Sequence, residues 1–211
     1  MIPTKEEWIK ALTERHGKEL QQAFSSATVA ICGLGGLGSN IAISLARAGI
    51  GKLILCDFDR VDITNLHRQQ YKAEQIGMFK TDALADNLCE IAPYIELELH
   101  TERITEENAT HLLQNADIIC EAFDDAETKA MLTNFLLERM PDKFLVAASG
   151  MAGFGSANTI KTRKVMSRFY LCGDEESDVQ SEGSLISSRV MLCAAHEAHT
   201  VLRILAGKFE T

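Results

Sequence analysis

Three glycines with the spacing of a phosphate-binding turn follow the first apolar run of the chain. The run Thr28–Cys32 has the length of a buried strand, and the sequence GLGGLG (residues 33–38) comes directly after it. In a strand–turn–helix unit, Gly33 permits the tight turn, Gly35 lets a phosphate approach the backbone, and Gly38 lets the helix pack closely on the strand. The N–H groups at the start of the helix attract anions. The spacing therefore predicts a nucleotide site, and the alternative is a tight turn that binds no ligand.

Charged residues beyond the second apolar run indicate which nucleotide this site binds. Asp57 ends that run and lies roughly 20 residues beyond Gly33, where dinucleotide-binding proteins place the acid that binds ribose hydroxyls. Up to this point an NAD enzyme fits equally well. Further polar residues then follow, and they include two cations: Asp59, Asn65, Arg68 and Lys80. Two cations suit a triphosphate, because it carries more negative charge than the pyrophosphate of a dinucleotide. The alternative for both is ordinary solvated surface charge.

A pair of acids, Asp124 and Asp125, follows the apolar run of residues 117–122. Ligands of open α/β sheets bind at the carboxyl ends of the strands, so this pair is expected to face the same crevice as the glycine turn. A carboxylate there could hold Mg²⁺ that bridges phosphates. Asp125 precedes a helical pattern and is better explained as a helix N-cap, which leaves Asp124 as the candidate metal ligand.

These residues need a scaffold, and the pattern of the chain predicts one. Apolar runs of strand length alternate with helical patterns, which is typical of a parallel sheet covered on both faces. The predicted strands cover residues 28–32, 52–57, 95–100, 117–122, 144–148 and 156–161. The predicted helices cover residues 5–24, 37–48, 81–91, 126–140 and 185–205, and another begins near residue 105. We therefore expect an α/β, Rossmann-like fold: a mainly parallel twisted sheet with helices on both faces, continuing into a few antiparallel strands.

The 211 residues are expected to form a single domain with three parts. An amphipathic N-terminal helix (about 5–24) precedes a nucleotide-binding core (about 28–150). Residues 151–207 are expected to supply a strand, a loop and the C-terminal helix. The loop, residues 166–184, is polar and acidic, and we predict that it is mobile.

The composition argues against several classes of protein. A net charge of −9 disfavours nucleic-acid binding, which needs clustered Lys and Arg. The N-terminus lacks the apolar segment of a signal peptide, and no apolar stretch reaches the ~20 residues of a membrane span. None of the six cysteines belongs to a C-x-x-C pair. We therefore expect reduced thiols, a cytoplasmic location and no structural zinc.

Four motifs together resemble one family. GLGGLGSN (33–40), DFDRVDITNLHRQ (57–69), GMFK (77–80) and EAFDD (121–125) resemble the ThiF/MoeB/HesA family, the bacterial relatives of ubiquitin-activating enzymes. The resemblance runs from about Arg15 to Gly207. The sequence RHG at 15–17 and the ending of the chain are most similar to short ThiF-type proteins of thiamine biosynthesis.

The resemblance implies an activity and a partner. Family members adenylate the C-terminal glycine of a small ubiquitin-like carrier that ends in Gly-Gly, here a ThiS-like sulfur carrier, and release pyrophosphate. By motif, Gly35, Gly36 and Gly38 would cradle ATP and Asp57 would hold the ribose. Asn65, Arg68 and Lys80 would hold the triphosphate, and Asp124 would bind Mg²⁺. The resemblance also implies a homodimer in which Arg15 reaches into the neighbouring subunit's site, although Lys18-Glu19 replaces the usual second Arg-Gln.

Other interpretations stay open from the sequence alone. The acceptor could be a peptide or a modified tRNA nucleoside, although the acidic composition weighs against tRNA. The chain could also be an NAD-dependent oxidoreductase or a nucleotide-binding protein without turnover. Some relatives form a covalent intermediate on a cysteine of the crossover loop, and Cys172 lies in the comparable segment. Its neighbours Asp174, Glu175 and Glu176 would raise a thiol pKa, so an ordinary loop cysteine is the simpler interpretation.

Overall fold

The strands build one sheet. The computed structural model describes residues 2–211, and within them seven strands join in the order β3-β2-β1-β4-β5-β7-β6. They are β1 (Thr28–Cys32), β2 (Lys52–Cys56), β3 (Glu96–His100), β4 (Ile118–Glu121), β5 (Phe144–Ala148), β6 (Lys161–Met166) and β7 (Phe169–Gly173). Every neighbouring pair is parallel except β7 and β6. The predicted Rossmann-like, mainly parallel sheet is confirmed, with one antiparallel pair where a few antiparallel strands were expected.

Helices cover both faces of the sheet. They are α1 (Lys5–His16), α2 (Lys18–Ser26), α3 (Gly36–Ala48), α4 (Lys80–Ile91), α5 (Ala109–Leu113), α6 (Ala126–Arg139), α7 (Val179–Glu182) and α8 (Ser187–Leu205). Buried side chains of α2, α3, α4 and α8 form the core on one face, and those of α5 and α6 form the core on the other. Strand side chains alternate between these two cores: Val29 and Ile31 face the first, and Ala30 and Cys32 face the second. No helix within residues 2–211 has the length and apolar composition that crossing a bilayer requires.

The parallel strands bring the candidate site together. Because β1 to β5 and β7 run in one direction, the loops that follow them meet at one edge of the sheet. The helix after the glycine turn ends where it was predicted to, at Gly49, which adopts the left-handed conformation of a C-cap (φ 85°, ψ 33°).

The N-terminal helix differs from the prediction. A single helix over residues 5–24 is wrong, because Gly17 separates α1 from α2 with φ 84° and ψ 154°. This extended left-handed conformation is adopted almost only by glycine, so the helix cannot continue through it. None of the side chains of α1 is fully buried, and Trp8 is only partly buried against the core.

The segment between β5 and α8 also differs. The predicted strand at 156–161 is wrong, since residues 157–159 form a 3-10 turn and the strand β6 begins at Lys161. The predicted mobile loop at 166–184 contains β7 and the short helix α7. Strand β7 was missed because it inserts beside β5, and its buried residues Tyr170 and Cys172 face the core. Only the tertiary contacts with β5 distinguish so short a run from a loop.

Candidate active site

The glycine turn has the geometry that its spacing predicts. Gly33 has φ +92°, and a Cβ there would lie 2.8 Å from the carbonyl oxygen of Ala122. A Cβ on Gly38 would lie 1.9 Å from the carbonyl oxygen of Gly33, so the helix packs on the turn too closely for any side chain. A Cβ on Gly35 would meet only Gln69 Nε2, at 3.7 Å, which leaves room for a phosphate. No side chain caps α3, so its first N–H groups are free to bind an anion.

Asp57 lies buried at the end of β2 and organises the turn as well as its own loop. One carboxylate oxygen, Oδ2, accepts the N–H of Leu34 at 2.6 Å, and Oδ1 accepts the N–H of Asp59 at 2.8 Å. The ammonium of Lys80 lies 2.9 Å from Asp59 Oδ2 and 3.7 Å from Asp57 Oδ2. Burial raises the pKa of Asp57, and the charge of Lys80 and the Leu34 N–H oppose that rise. The turn, the ribose-binding candidate and one predicted triphosphate ligand therefore form a single hydrogen-bonded unit.

Arg68 and Gln69 lie beside the glycine turn: a Cβ on Gly36 would be 3.5 Å from Arg68 Cγ. The N–H groups of both residues donate to the carbonyl of Asn65 at 3.1 Å, and the amide of Asn40 on α3 donates to the carbonyl of Arg68 at 3.2 Å. Arg68 Nε and Gln69 Oε1 are buried, and neither has a hydrogen-bond partner among residues 2–211. Buried polar atoms are normally paired, so two such atoms in one place fit a site that binds a polar ligand.

The two acids after β4 differ in their contacts, and Asp125 has the predicted position of a helix N-cap. Asp125 caps α6, and its carboxylate accepts the N–H of Thr128 at 2.8 Å. Asp124 makes no such contact and its exposed carboxylate lines the cleft. Within residues 2–211 no group of three His, Cys, Asp or Glu residues is arranged to hold a metal. A Mg²⁺ ion at Asp124 would therefore depend on phosphate oxygens for most of its ligands, which is the usual arrangement for this ion.

An ion pair between the partly exposed Lys129 and the buried Glu121 holds the peptide next to Asp124. Lys129 Nζ lies 2.9 Å from Glu121 Oε2 and donates to the carbonyl of Phe123 at 3.0 Å. Glu121 Oε1 in turn accepts the N–H of Phe123 at 2.8 Å. Burial raises the pKa of Glu121, and the charge of Lys129 opposes the rise. The two side chains fix the peptide groups of Phe123 and so the position of its neighbour Asp124.

One cleft of about 470 Å³ collects most of the predicted site residues. It is lined by Gly33, Gly35, Gly36, Asp57, Asp59, Asn65, Arg68, Lys80 and Asp124. Three predicted residues lie outside it: Gly38, Arg15 and Cys172. Gly38 packs behind the turn instead of facing the cleft, which fits its role in helix–strand packing. Arg15 lies on α1 and does not line the cleft of its own subunit, so its proposed role in a neighbouring subunit stays a prediction.

Cys172 is not the exposed loop cysteine that a covalent role requires. It belongs to β7, it is 0% exposed, and it contacts the hydroxyl of Thr162. Burial, assisted by the charge of Glu197, raises its pKa to about 12. A nucleophilic cysteine needs a lowered pKa and access to its substrate, so the burial of Cys172 in a strand favours the simpler interpretation of a cysteine without a covalent role.

Three further cleft residues have side chains suited to a nucleotide or its acceptor and were not predicted: Gln69, Arg103 and Lys129. Gln69 could have been found, since it follows Arg68 at the end of the motif of residues 57–69. Arg103 stacks its guanidinium 4.3 Å from the ring centre of Phe58 and comes three residues after β3. Its position at a strand's carboxyl end was the available signal. Lys129 gave no sequence signal, because a lysine in the first turns of a helix is ordinary.

Comparison with known proteins places this site in a family. Residues 10–211 match the ThiF family, so the chain belongs to it. The family resemblance inferred from the four motifs is thereby confirmed, and the chain is an adenylyltransferase-like protein. Among curated relatives, "Adenylyltransferase and sulfurtransferase MOCS3" of Culex quinquefasciatus is 36% identical over 119 residues, which is 56% of this chain and 27% of that protein. "Adenylyltransferase and sulfurtransferase UBA4" of Lodderomyces elongisporus is 26% identical over 90% of this chain and 42% of its own length. The chain thus matches less than half of these relatives.

Solved structures show the same fold. E. coli TcdA, described as a tRNA N6-threonylcarbamoyladenosine dehydratase and crystallised with AMP, superposes with a TM-score of 0.86 at 20% identity. The superposition covers 99% of this chain and 98% of TcdA. E. coli MccB superposes with a TM-score of 0.71 at 21% identity, over 91% of this chain and 59% of MccB. At these identities the likeness concerns the fold.

Proposed function

We propose that this ThiF-family chain is an ATP-dependent adenylyltransferase that activates a carboxylate or amide of an acceptor by transferring AMP to it. The observation that carries the proposal is the single cleft in which the glycine turn, Asp57, Arg68, Lys80 and Asp124 meet. A redox dinucleotide would need the turn and Asp57 only. The cations and Asp124 add what a triphosphate needs. TcdA has also been crystallised with ATP, which supports the same ligand here.

The chemistry suits these residues. A carboxylate that attacks the α-phosphate brings two anions together, and negative charge spreads over the phosphate oxygens as the bond to pyrophosphate breaks. Arg68 and Lys80 neutralise that charge, and the N–H groups of α3 position the phosphates. Bound at Asp124, Mg²⁺ would supply further neutralisation of the phosphate oxygens. No general base is required for a carboxylate acceptor, because it is already ionised at neutral pH.

The proposal has two versions, which differ in the molecule that accepts AMP. A sulfur carrier ending in Gly-Gly, with a role in thiamine biosynthesis, was the first expectation, and the names of MOCS3 and UBA4 keep it open. The superposition with TcdA covers both chains almost completely, and MccB shares the fold. Cys172 is buried in β7, which also weighs against a covalent intermediate at this residue. We therefore favour a small reactive group, on a peptide or a modified tRNA nucleoside, over the sulfur carrier; of these two the net charge of −9 favours the peptide.

ATP–pyrophosphate exchange with a panel of acceptors tests both versions. The panel contains a Gly-Gly carrier, peptides with free C-termini, and tRNA bearing N6-threonylcarbamoyladenosine. We expect exchange that depends on the tRNA or a peptide. Dependence on the carrier alone would restore the first expectation. If none of the acceptors in the panel supported exchange, the proposal would be contradicted. Tight binding of NADH without binding of ATP would contradict it as well.

A matched pair of variants tests the role of Asp124 in the same assay. Asp124→Asn should lower exchange by roughly 100-fold or more, since it removes the candidate Mg²⁺ ligand. Asp125→Asn should keep near-normal exchange, because Asn caps helices as well as Asp does. Equal losses in both variants would show that Asp124 acts only through the fold of this loop.

A homodimer with Arg15 acting across the interface is part of the proposal. Arg15 lies in the last turn of α1, away from the cleft of its own subunit. Arg15→Ala and Asp124→Ala subunits should each be inactive. Mixed after refolding together, they should recover roughly a quarter of the wild-type rate, because half of the dimers are mixed and each holds one intact site. No recovery, together with a monomeric mass in solution, would refute the shared site.

A further inference from the structure

One buried arginine ties down the connection between β5 and β6. Arg189 lies in the first turn of α8 and is 6% exposed. Its guanidinium donates to the carbonyls of Ala152 (3.1 Å), Gly155 (2.8 Å) and Ser156 (2.8 Å), to Thr159 Oγ1 (3.1 Å) and to Asp174 Oδ2. All three nitrogens are used. A planar fork of donors can satisfy this many acceptors at once, and a lysine cannot.

Asp174 extends the same unit to the loop after β7. Its other oxygen, Oδ1, accepts the N–H groups of Glu176 (3.0 Å) and Ser177 (2.9 Å), and its own N–H donates to the carbonyl of Gly150 (2.9 Å). Gly150 has φ +79°, and a Cβ there would lie 2.0 Å from Asp174 Oδ1. Arg189 and Asp174 together therefore join residues 150–159 to residues 174–177.

Both joined segments line the cleft, on the side away from the nucleotide-binding turn. Ser149, Gly150 and Met151 follow β5, and Ser177, Asp178 and Val179 follow β7. The glycine turn follows β1 and Asp57 follows β2, so the nucleotide lies toward one end of the strand order. The part of the cleft that this leaves for an acceptor lies toward the other end, beside β5 and β7.

We infer that Arg189 and Asp174 are a positioning pair that fixes the acceptor-side wall of the cleft, formed by residues 149–151 and 177–179. Neither residue of the pair lines the cleft, so both act through the segments they hold. The inference rests on the proposed adenylation for its consequence in turnover. Its structural part, the joint fixing of the two segments, does not depend on that proposal.

The chain offers a matched control. Arg163 forms a bidentate pair with Glu175, the residue next to Asp174, through contacts of 2.8 and 2.6 Å. The side chains of that pair are 52% and 42% exposed, and neither residue lines the cleft. This pair joins the same types of charged group, with its acid in the same loop and its arginine in β6, and it lacks the buried carbonyls.

Arg189→Lys, Asp174→Asn and Arg163→Lys are compared in two measurements. Hydrogen exchange needs no acceptor. In the first two variants we expect residues 150–159 and 174–178 to lose amide protection together, while residues 33–48 keep theirs. In the Arg163→Lys protein we expect the protection of all these segments to stay unchanged. Kinetics use the acceptor that supports exchange in the panel. Here we expect its KM to rise by about 10-fold in the first two variants, with the KM for ATP within about twofold of wild type.

Each contrary result is decisive. Unchanged protection in both segments would overturn the pair's role in holding them, whatever the outcome with ATP. Protection could be lost while the KM for the acceptor stays unchanged, or while the KM values for the acceptor and for ATP rise equally. Either result would show that the pair only stabilises the fold in general. Should no acceptor support exchange, the proposed function fails, and hydrogen exchange alone still decides whether the pair fixes the wall. Asp174→Asn keeps the size of the side chain, so it provides a folded variant if Arg189→Lys does not fold.

Discussion

Lys80 shows how one side chain can serve both the fold and a ligand. Its side chain is 8% exposed, and its ammonium lies between the carboxylates of Asp57 and Asp59. A buried cation needs a partner, so these acids hold it in place in the absence of a phosphate. The same ammonium lines the cleft and can turn toward a triphosphate. The acids after β2 thereby pre-position the cation that the proposed reaction uses.

Asp57 should therefore be more important than a ribose contact alone. Asp57→Ala removes the acceptor for the Leu34 N–H and one partner of Lys80. Loss of the ribose contact and of these two contacts that order the turn should lower ATP affinity by about 10- to 100-fold, which is about 1.4–2.8 kcal/mol, measured by calorimetric titration. Asp62→Ala is the control, since Asp62 is exposed and lies outside the cleft. A similar loss in both variants would show that the effect comes from the loop and not from Asp57.

The cysteines make a second prediction at this scale. Of the six, all within the described residues, only Cys89 is exposed. In the native protein at pH 8, iodoacetamide should modify Cys89 rapidly and leave Cys172 unmodified until denaturant is added, because burial raises the pKa of Cys172 to about 12. Peptide mass spectrometry identifies the site. Rapid native labelling of Cys172, or loss of exchange in Cys172→Ser, would reopen a covalent role.

Among the elements, the start of α3 is the most constrained. The helix begins with the glycine turn and lies directly on the carboxyl end of β1, so its first residues can carry no side chain on the inner surface. This close packing aims the free N–H groups of the helix at the cleft. The same contact explains why Gly38 belongs to the motif without touching the ligand site.

Gly38→Ala should be far more damaging than a glycine substitution in open space. A Cβ at 1.9 Å from the Gly33 carbonyl forces the helix off the strand, and we expect roughly 3 kcal/mol or more of lost stability and no measurable ATP binding. Gly207→Ala should cost only about 1 kcal/mol, since Gly207 has φ +71° and nothing lies within 4 Å of its Cβ position. Urea denaturation compares the two. Equal costs would contradict the packing role of Gly38.

One acid is buried in the core of the molecule without a hydrogen-bond partner among residues 2–211. Glu197 of α8 is 0% exposed, and neither of its carboxylate oxygens has a hydrogen-bond partner among residues 2–211. Burial raises its pKa well above the ordinary value of 4.5, opposed by the charge of Lys129 and assisted by that of Glu121. The core of the sheet thus accommodates Glu197 best as a neutral acid.

The pH dependence of stability follows from that shift. An acid whose folded pKa is raised binds more protons in the folded state, so stability is greatest below pH 4.5 for this group and falls as the pH rises above it. Glu197→Gln is neutral at every pH. It should match the wild type near pH 5 and exceed its free energy of unfolding at pH 8, by a difference that grows by at most about 1.4 kcal/mol per pH unit, in urea denaturation at the two pH values. Glu138→Gln, an exposed change on α6, should alter neither value. A difference that does not grow with pH would refute this account.

The sequence by itself determined the parts of this protein that depend on local chemistry. The period of apolar residues predicted β1 to β5 to within a residue or two, and the glycine spacing, Asp57, Arg68, Lys80 and Asp124 predicted the cleft. It also determined the caps at Gly49 and Asp125, because a cap depends only on its neighbours along the chain.

Contacts between distant segments decided the rest. Strand β7 and the burial of Cys172 depend on pairing with β5, more than 20 residues earlier in the chain, and such pairing leaves no periodic signal in a five-residue run. The break between α1 and α2 depends on the positive φ of Gly17, a conformation that glycine permits and does not require. Arg189 and Asp174 looked like ordinary charges, and only burial beside five carbonyl, hydroxyl and carboxylate oxygens gives them a role. The sequence motifs predict the types of the residues proposed to react, whereas tertiary packing forms the acceptor-side wall of the cleft.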